Sequence, residues 1–303
     1  MSADRLQEAV FQKRNPTVLG LDPQPEHIPP DILAKHTAVK GETLAAMAAA
    51  YEEVNFALID ALCDIVPAVK LQSACYEALG QEGIAVFGST INYARAHGLY
   101  VMADAKRGDI GSTSKAYSAA FLGRTKVGGS LLPVFDTDAL TVNPYLGSDN
   151  LMPFLQDCKD YDKMVFVLCK TSNRSSSEVQ DLIVGDTQLY RIIAGQISRQ
   201  CAHLMGSCGY LSAGIVVGAT QPHQMKTLRK EHPELFFLVP GYGAQGGKAE
   251  DLAHAFDSRG GGAIVNNSRG ICCAWQRVEM PLADAARREA TAMRDVLQKV
   301  TGI

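Results

Sequence analysis

Lys70, Asp104, Lys106 and Asp109 are the ionisable residues whose setting least suits a passive surface. Three of them lie in Asp104-Ala105-Lys106-Arg107-Gly108-Asp109-Ile110-Gly111, directly after the apolar run at 99–103. Side chains alternate faces along a strand, so Asp104 and Lys106 point the same way at its C-terminal end. Gly108 lets the chain turn before Asp109. Lys70 interrupts another apolar run at 67–71. Ammonium groups interleaved with carboxylates keep one another ionised, because an opposite charge nearby favours the charged form. Lys106 held as an ammonium suits a proton donor better than a Schiff-base nucleophile. No histidine or cysteine belongs to the cluster. Its chemistry requires no metal, although Asp22 and Asp104 are of a type that binds Mg²⁺.

These groups need a scaffold that brings separate strand ends together. Short apolar runs occur at 17–22, 67–71, 99–103, 139–143, 164–169, 213–217, 235–239 and 263–265. Helical apolar spacing lies between many of them, at 42–64, 82–97, 113–123 and 187–206. Further helices are expected at 4–13 and 280–300. Pro23, Pro25, Pro29 and Pro30 are read as an extended loop. Nearly continuous apolar strands are expected where both faces of a parallel sheet are buried. Eight of them alternating with helices predict a single (β/α)8 TIM barrel over residues 1–303. A doubly wound open sheet is the alternative, but no Gly-x-Gly-x-x-Gly follows the first strand.

Active sites of such barrels sit at the C-terminal strand ends. Polar residues collect there: Asp22 after the first strand, Lys70 in the second, Asp104 and Lys106 after the third, Asn143 after the fourth and Ser172 after the fifth. Glycine-rich 240–247 follows the seventh strand, and Asn266-Asn267-Ser268-Arg269-Gly270 follows the eighth. Glycines let backbone N–H groups approach an anion, and arginine adds bidentate charge. Those two loops are the usual phosphate site of this architecture.

Composition narrows the partners. The 303 residues are 47% hydrophobic and 20% charged, with a net charge of -3. That balance argues against nucleic-acid binding and gives no reason to expect a membrane surface, while leaving room for a small anionic ligand. Asp4, Arg5 and Glu8 leave the N-terminus without a signal-peptide core, so a cytoplasmic location is expected. The eight cysteines form no Cys-x-x-Cys pair and are read as buried reduced thiols.

Asp104-x-Lys106-x-x-Asp109 followed by Ile110-Gly111-x-Thr113 resembles the signature of the orotidine 5′-phosphate decarboxylase family. Leu21-Asp22, Val69-Lys70, the Gly-Ala-Gln245-Gly loop and Ser268-Arg269-Gly270 extend the likeness, which is similar to the longer bacterial-type branch. The resemblance implies a homodimeric barrel that converts orotidine 5′-monophosphate to uridine 5′-monophosphate and CO₂ without cofactor or metal, the last step of de novo pyrimidine synthesis. It implies that Lys70, Asp104, Lys106 and Asp109 form the charged array. Asp109 and Thr113 would reach into the neighbouring subunit's site. Asp22 would contact ribose, Ser172 the pyrimidine, and Gln245 and Arg269 the phosphate, with Asn143 a further substrate contact. Candidate lids are 174–186 and 241–248. The alternatives are a Mg²⁺-dependent sugar-phosphate decarboxylase or aldolase of the same superfamily, with Asp104 as a metal ligand, and a non-catalytic phosphate-ligand sensor.

Overall fold

Eight parallel strands close on themselves in the computed structural model, which describes residues 1–242 and 249–303. They are Thr17–Leu21 (β1), Ala68–Gln72 (β2), Tyr100–Arg107 (β3), Ala139–Val142 (β4), Met164–Lys170 (β5), Ala213–Val217 (β6), Phe237–Val239 (β7) and Ala263–Asn267 (β8). Each pairs with its sequence neighbour, and β8 returns to pair with β1. The predicted (β/α)8 barrel is therefore the observed architecture. No helix among the described residues is long and apolar enough to cross a membrane.

Strand alternation divides the apolar residues into two shells. Val18, Ala68, Met102, Ala139, Phe166, Val216, Leu238 and Ile264 pack together inside the barrel. Leu19, Val69, Leu71, Val101, Leu140, Val167 and Val265 face outward into the layer shared with the helices. Both strand faces are thus buried, which explains the unbroken apolar runs in the sequence. Helix α1, Ser2–Lys13, adds Ala3, Leu6 and Val10 to the inner shell. Their i, i+3, i+7 spacing puts all three on one helical face. Each large side chain buried this way contributes about 1.5–3 kcal/mol of transfer free energy.

Several elements differ from expectation. The proline-rich run ends in a helix, α2, Pro30–Lys40, with Pro30 in its first turn. Proline fits there because its fixed φ suits the helix and the missing N–H would have no intrahelical partner. None of the residues of α2 is buried, so no apolar stripe announced it. The next helix, α3, Leu44–Leu62, is capped by the Thr43 hydroxyl, which accepts from the backbone N–H of Ala46. Two small hairpins lie outside the barrel, Thr125–Val127 with Ser130–Leu132 and Ile183–Val184 with Thr187–Gln188. They turn at Gly128 (φ +58°) and Gly185 (φ +68°), backbone settings that favour glycine. The helix expected at 187–206 is shorter, Leu189–Gln200, because the second hairpin takes its first two residues and the chain tightens into a 3-10 turn at Ala202–Leu204 after it. All eight cysteines are free, five of them buried and Cys63, Cys75 and Cys208 half-buried.

Candidate active site

The inward faces of β1 to β4 build the charged wall. Asp22 follows β1, Lys70 and Gln72 lie two apart on β2, and Asp104 and Lys106 two apart on β3. Parallel pairing sets Gln72 opposite Asp104. Lys70 is almost wholly buried, with Nζ 2.8 Å from Asp104 Oδ2 and 3.4 Å from Asp22 Oδ1. Lys106 Nζ lies 2.6 Å from Asp104 Oδ1. Gln72 Nε2 donates to Asp104 Oδ2 at 3.1 Å, and the Thr141 hydroxyl donates to Oδ1 at 2.8 Å. Asp104 therefore accepts four hydrogen bonds, two per oxygen, which fills the lone pairs of a carboxylate. The result is an unbroken chain, Asp22–Lys70–Asp104–Lys106.

Lys106 has a second constraint. Its backbone sits at φ +49°, the left-handed region a non-glycine residue rarely occupies. Its N–H donates to Thr141 Oγ1 at 3.0 Å. One hydroxyl on β4 thus fixes both Asp104 and the turn that presents Lys106. Such a conformation costs about 1–3 kcal/mol and persists where surrounding contacts over-determine it. The Lys106 side chain is 44% exposed, so the ammonium is tethered at one face and open to the cavity.

Electrostatics fix the ionisation of the buried pair. Burial pushes Lys70 toward the neutral form, but Asp104 and then Asp22 outweigh it and hold its pKa above the usual lysine range. Burial likewise pushes Asp104 up, and the ammonium groups of Lys70 and Lys106 hold it well below the usual carboxylate range. Cys75 nearby is pushed up to about 11 by burial and then by Asp22, which keeps it a thiol at neutral pH.

This wall borders a cavity of about 490 Å³ at the C-terminal mouth of the barrel. Leu168, Val216 and Leu238 give it an apolar lining, and Ser268 and Arg269 line it after β8, beside β1. No carboxylate pairs with Arg269 among the described residues, so its guanidinium is available to an anion. Asn267 Oδ1 accepts from the Gly270 N–H at 3.1 Å, and a Cβ at Gly270 would lie 2.4 Å from that same oxygen. Glycine is what lets this turn close beside Arg269. Ser172 reaches the rim because Gly218 at the end of β6 allows it: a Cβ there would stand 2.7 Å from the Ser172 backbone. Thr220 Oγ1 also donates to the Ser172 carbonyl at 3.1 Å.

Asp22, Lys70, Asp104, Lys106, Ser172 and Arg269 thus surround one cavity. Gln245 lies outside the described residues. Asn143 is exposed and does not line the cavity; its Oδ1 accepts from the Tyr145 N–H at 3.0 Å in a local turn. β4 ends at Val142, so the inward polar position is Thr141, one residue inside the strand. Asp109 and Thr113 also lie off this chain's own cavity. Asp109 Oδ1 accepts from the Ile110 N–H at 2.7 Å, and its backbone N–H donates to Ser114 Oγ and Asn150 Oδ1. Gln72, Thr141 and Gln180 line the cavity and were missed. Counting by twos from Lys70 and from inward Ala139 finds the first two; nothing local in the sequence marks Gln180.

Fold and site together define a (β/α)8 barrel that sets an alternating lysine–aspartate array and an arginine around one cavity. The family model described as orotidine 5′-phosphate decarboxylase / HUMPS matches residues 17–280. Orotidine 5′-phosphate decarboxylase of Caldicellulosiruptor bescii is 40% identical over 274 residues, covering 90% of each chain. That of Rhodopirellula baltica is 39% identical and covers 98% of each. The structure of Leishmania donovani OMP decarboxylase superposes with a TM-score of 0.76 at 31% identity, over 99% of this chain and 98% of that one. The chain belongs to the orotidine 5′-phosphate decarboxylase / HUMPS family.

Proposed function

We infer that the protein decarboxylates orotidine 5′-monophosphate to uridine 5′-monophosphate and CO₂, the closing step of pyrimidine nucleotide synthesis. The observation that carries the assignment within its family is the saturation of Asp104. With four donors on its two oxygens, two of them ammonium groups, it serves an electrostatic array and has no lone pair left for a metal ion. That favours decarboxylation over a Mg²⁺-assisted aldol reaction.

In this reading the phosphate meets Arg269 and Gln245, the ribose meets Asp22, and the pyrimidine lies toward Ser172 with C6 facing Lys106. The C6–carboxylate bond breaks and CO₂ departs. The electron pair stays in an in-plane orbital at C6 that the ring π system cannot delocalise. The Lys106 ammonium, already fixed by Asp104, stabilises that charge and then transfers a proton to C6, and solvent reprotonates the amine. Fixed charge aimed at the developing carbanion lowers the barrier because it requires no reorganisation when the bond breaks. Lys70 holds Asp104 ionised from the far side. The distant phosphate contact supplies binding energy that positions the reacting ring.

The reading extends to a homodimer with shared sites. Asp109 and Thr113, turned away from this chain's own cavity, would serve a second copy. The neighbouring surface supports that placement: Ile110, Tyr145, Leu146 and Met152 are large apolar residues left exposed. One barrel domain spans 1–303, and eight free thiols suit a reducing cytoplasm.

Loss of ultraviolet absorbance on adding orotidine monophosphate, with and without a chelator, tests the reaction. Equal rates are expected; turnover that vanishes with chelator would favour the aldolase-type reading. Mixing Asp109→Ala with Lys106→Ala protein tests the shared site. Partial recovery of activity is expected, and no recovery in demonstrated heterodimers would count against it.

A further inference from the structure

A second buried lysine has no part in the charge array. Lys170, the last residue of β5, is 1% exposed, and it does not line the cavity. Its Nζ lies 2.8 Å from Asp181 Oδ1, 2.9 Å from Oδ2 and 3.3 Å from Ser176 Oγ. A parallel lock sits one residue on. The Thr171 N–H donates to Gln180 Oε1 at 2.9 Å, and Gln180 Nε2 donates to Thr171 Oγ1 at 2.8 Å. Thr171 Oγ1 in turn donates to Asn173 Oδ1 at 2.7 Å. Adjacent residues 170 and 171 are thus tied to adjacent residues 181 and 180, and everything between them forms a loop with a clamped neck.

The two ends of this clamp face different ways. Thr171, Ser172, Asn173 and Gln180 line the cavity, whereas Lys170 and Asp181 stand behind them. Burying an ammonium is costly unless it is paired, and an apolar side chain would fill the same space without that cost. A segment that orders only when ligand arrives subtracts the ordering entropy from affinity, whereas one already ordered does not. We propose that Lys170, acting through Asp181 and alongside Gln180, is a positioning residue that preforms the 171–173 turn in the free enzyme, so that the cavity rim is in place before substrate binds. This rests on the reading that the rim, Ser172 included, meets the pyrimidine.

Steady-state kinetics on Lys170→Met, Asp181→Asn and the double variant test it with orotidine monophosphate. Asp181 is 35% exposed, so it can hydrate when Lys170 is lost. The expectation is a KM at least about tenfold higher in each single variant, with kcat within about twofold, as loss of a charged hydrogen bond used only for ordering implies. The double variant should be no worse than the more affected single, because the pair acts as a unit. A loss of kcat at unchanged KM, or simple additivity, would reduce the clamp to a stability element and overturn the inference. If Lys170→Met does not fold, Asp181→Asn decides alone by the same KM criterion. Ser172→Ala separates the two levels. Unchanged KM there overturns the pyrimidine contact and leaves the clamp to be judged on its own variants. Raised KM there with normal KM in the clamp variants overturns the clamp alone.

Discussion

Asparagine at position 104 would keep the shape of Asp104 and remove its charge. The carboxylate accepts from Lys106 at 2.6 Å, from Lys70 and Thr141 at 2.8 Å each, and from Gln72 at 3.1 Å. An amide offers one acceptor oxygen and turns an NH₂ toward the rest, so two of the four donors lose their partner. At an effective dielectric near 20, each ion pair of this kind is worth about 4 kcal/mol before desolvation. Lys106 is 44% exposed and can hydrate, so most of the penalty falls on Lys70, which keeps only Asp22 at 3.4 Å. Removing one member of a buried pair costs about 3–5 kcal/mol. In a chain of 303 residues that corresponds to a Tm about 5–8 °C lower. Catalysis should suffer more than folding, because Lys106 loses the group that aims it; kcat is expected to fall about 10²- to 10⁴-fold. Thermal denaturation and the orotidine monophosphate absorbance assay at saturating substrate read the two effects. Adding Lys70→Met to Asp104→Asn removes the stranded ammonium and should recover part of the Tm but none of the activity. An Asp104→Asn protein with unchanged Tm and kcat within tenfold of the parent would refute the coupled array.

Lys106→Ala should abolish decarboxylation while uridine monophosphate still binds by calorimetry; retained turnover would remove Lys106 as the proton donor. Arg269→Ala should raise KM about 10- to 100-fold, the range for a lost charged hydrogen bond, and leave turnover of phosphate-free orotidine unaltered. Equal damage to both substrates would contradict a phosphate contact. For pH, the folded pKa of Asp104 is depressed, so its stabilisation is complete above its unfolded value of about 3.9 and is lost as pH falls through the folded value. The folded pKa of Lys70 is raised, so its stabilisation is complete below about 10.4 and is lost as pH rises through the folded value. The Tm difference between the parent and the Lys70→Met/Asp104→Asn double variant should therefore stay constant from about pH 5 to 9, and a bend within that window would place a titrating group inside the array.

The fold was legible because both faces of every barrel strand are buried, so eight apolar runs stand out against the helices between them. What escaped included α2, with none of its residues buried, the two hairpins outside the barrel, and the helices Ser148–Tyr161 and Pro222–Glu231, whose apolar faces are short and carry a proline inside or at the first turn. The charged wall was legible in part for the same reason. Strand alternation alone sets Asp104 and Lys106 on one face, and a lysine within an apolar strand is conspicuous at Lys70. Which partner each charge meets was not legible, because hydrogen bonds across the barrel depend on register and on where a strand stops. The end of β4 at Val142 separates inward Thr141, which fixes Asp104 and the left-handed turn at Lys106, from Asn143, which has left the strand and accepts within a local turn. The clamp at Lys170 belongs to the same category, since its partner is eleven positions away across a loop. The sequence by itself determined a barrel with lysines and aspartates gathered at its strand ends and an arginine after its last strand. Only the tertiary structure decided which of those charges touch, because contact is set by strand stagger and loop closure, quantities that no local spacing carries.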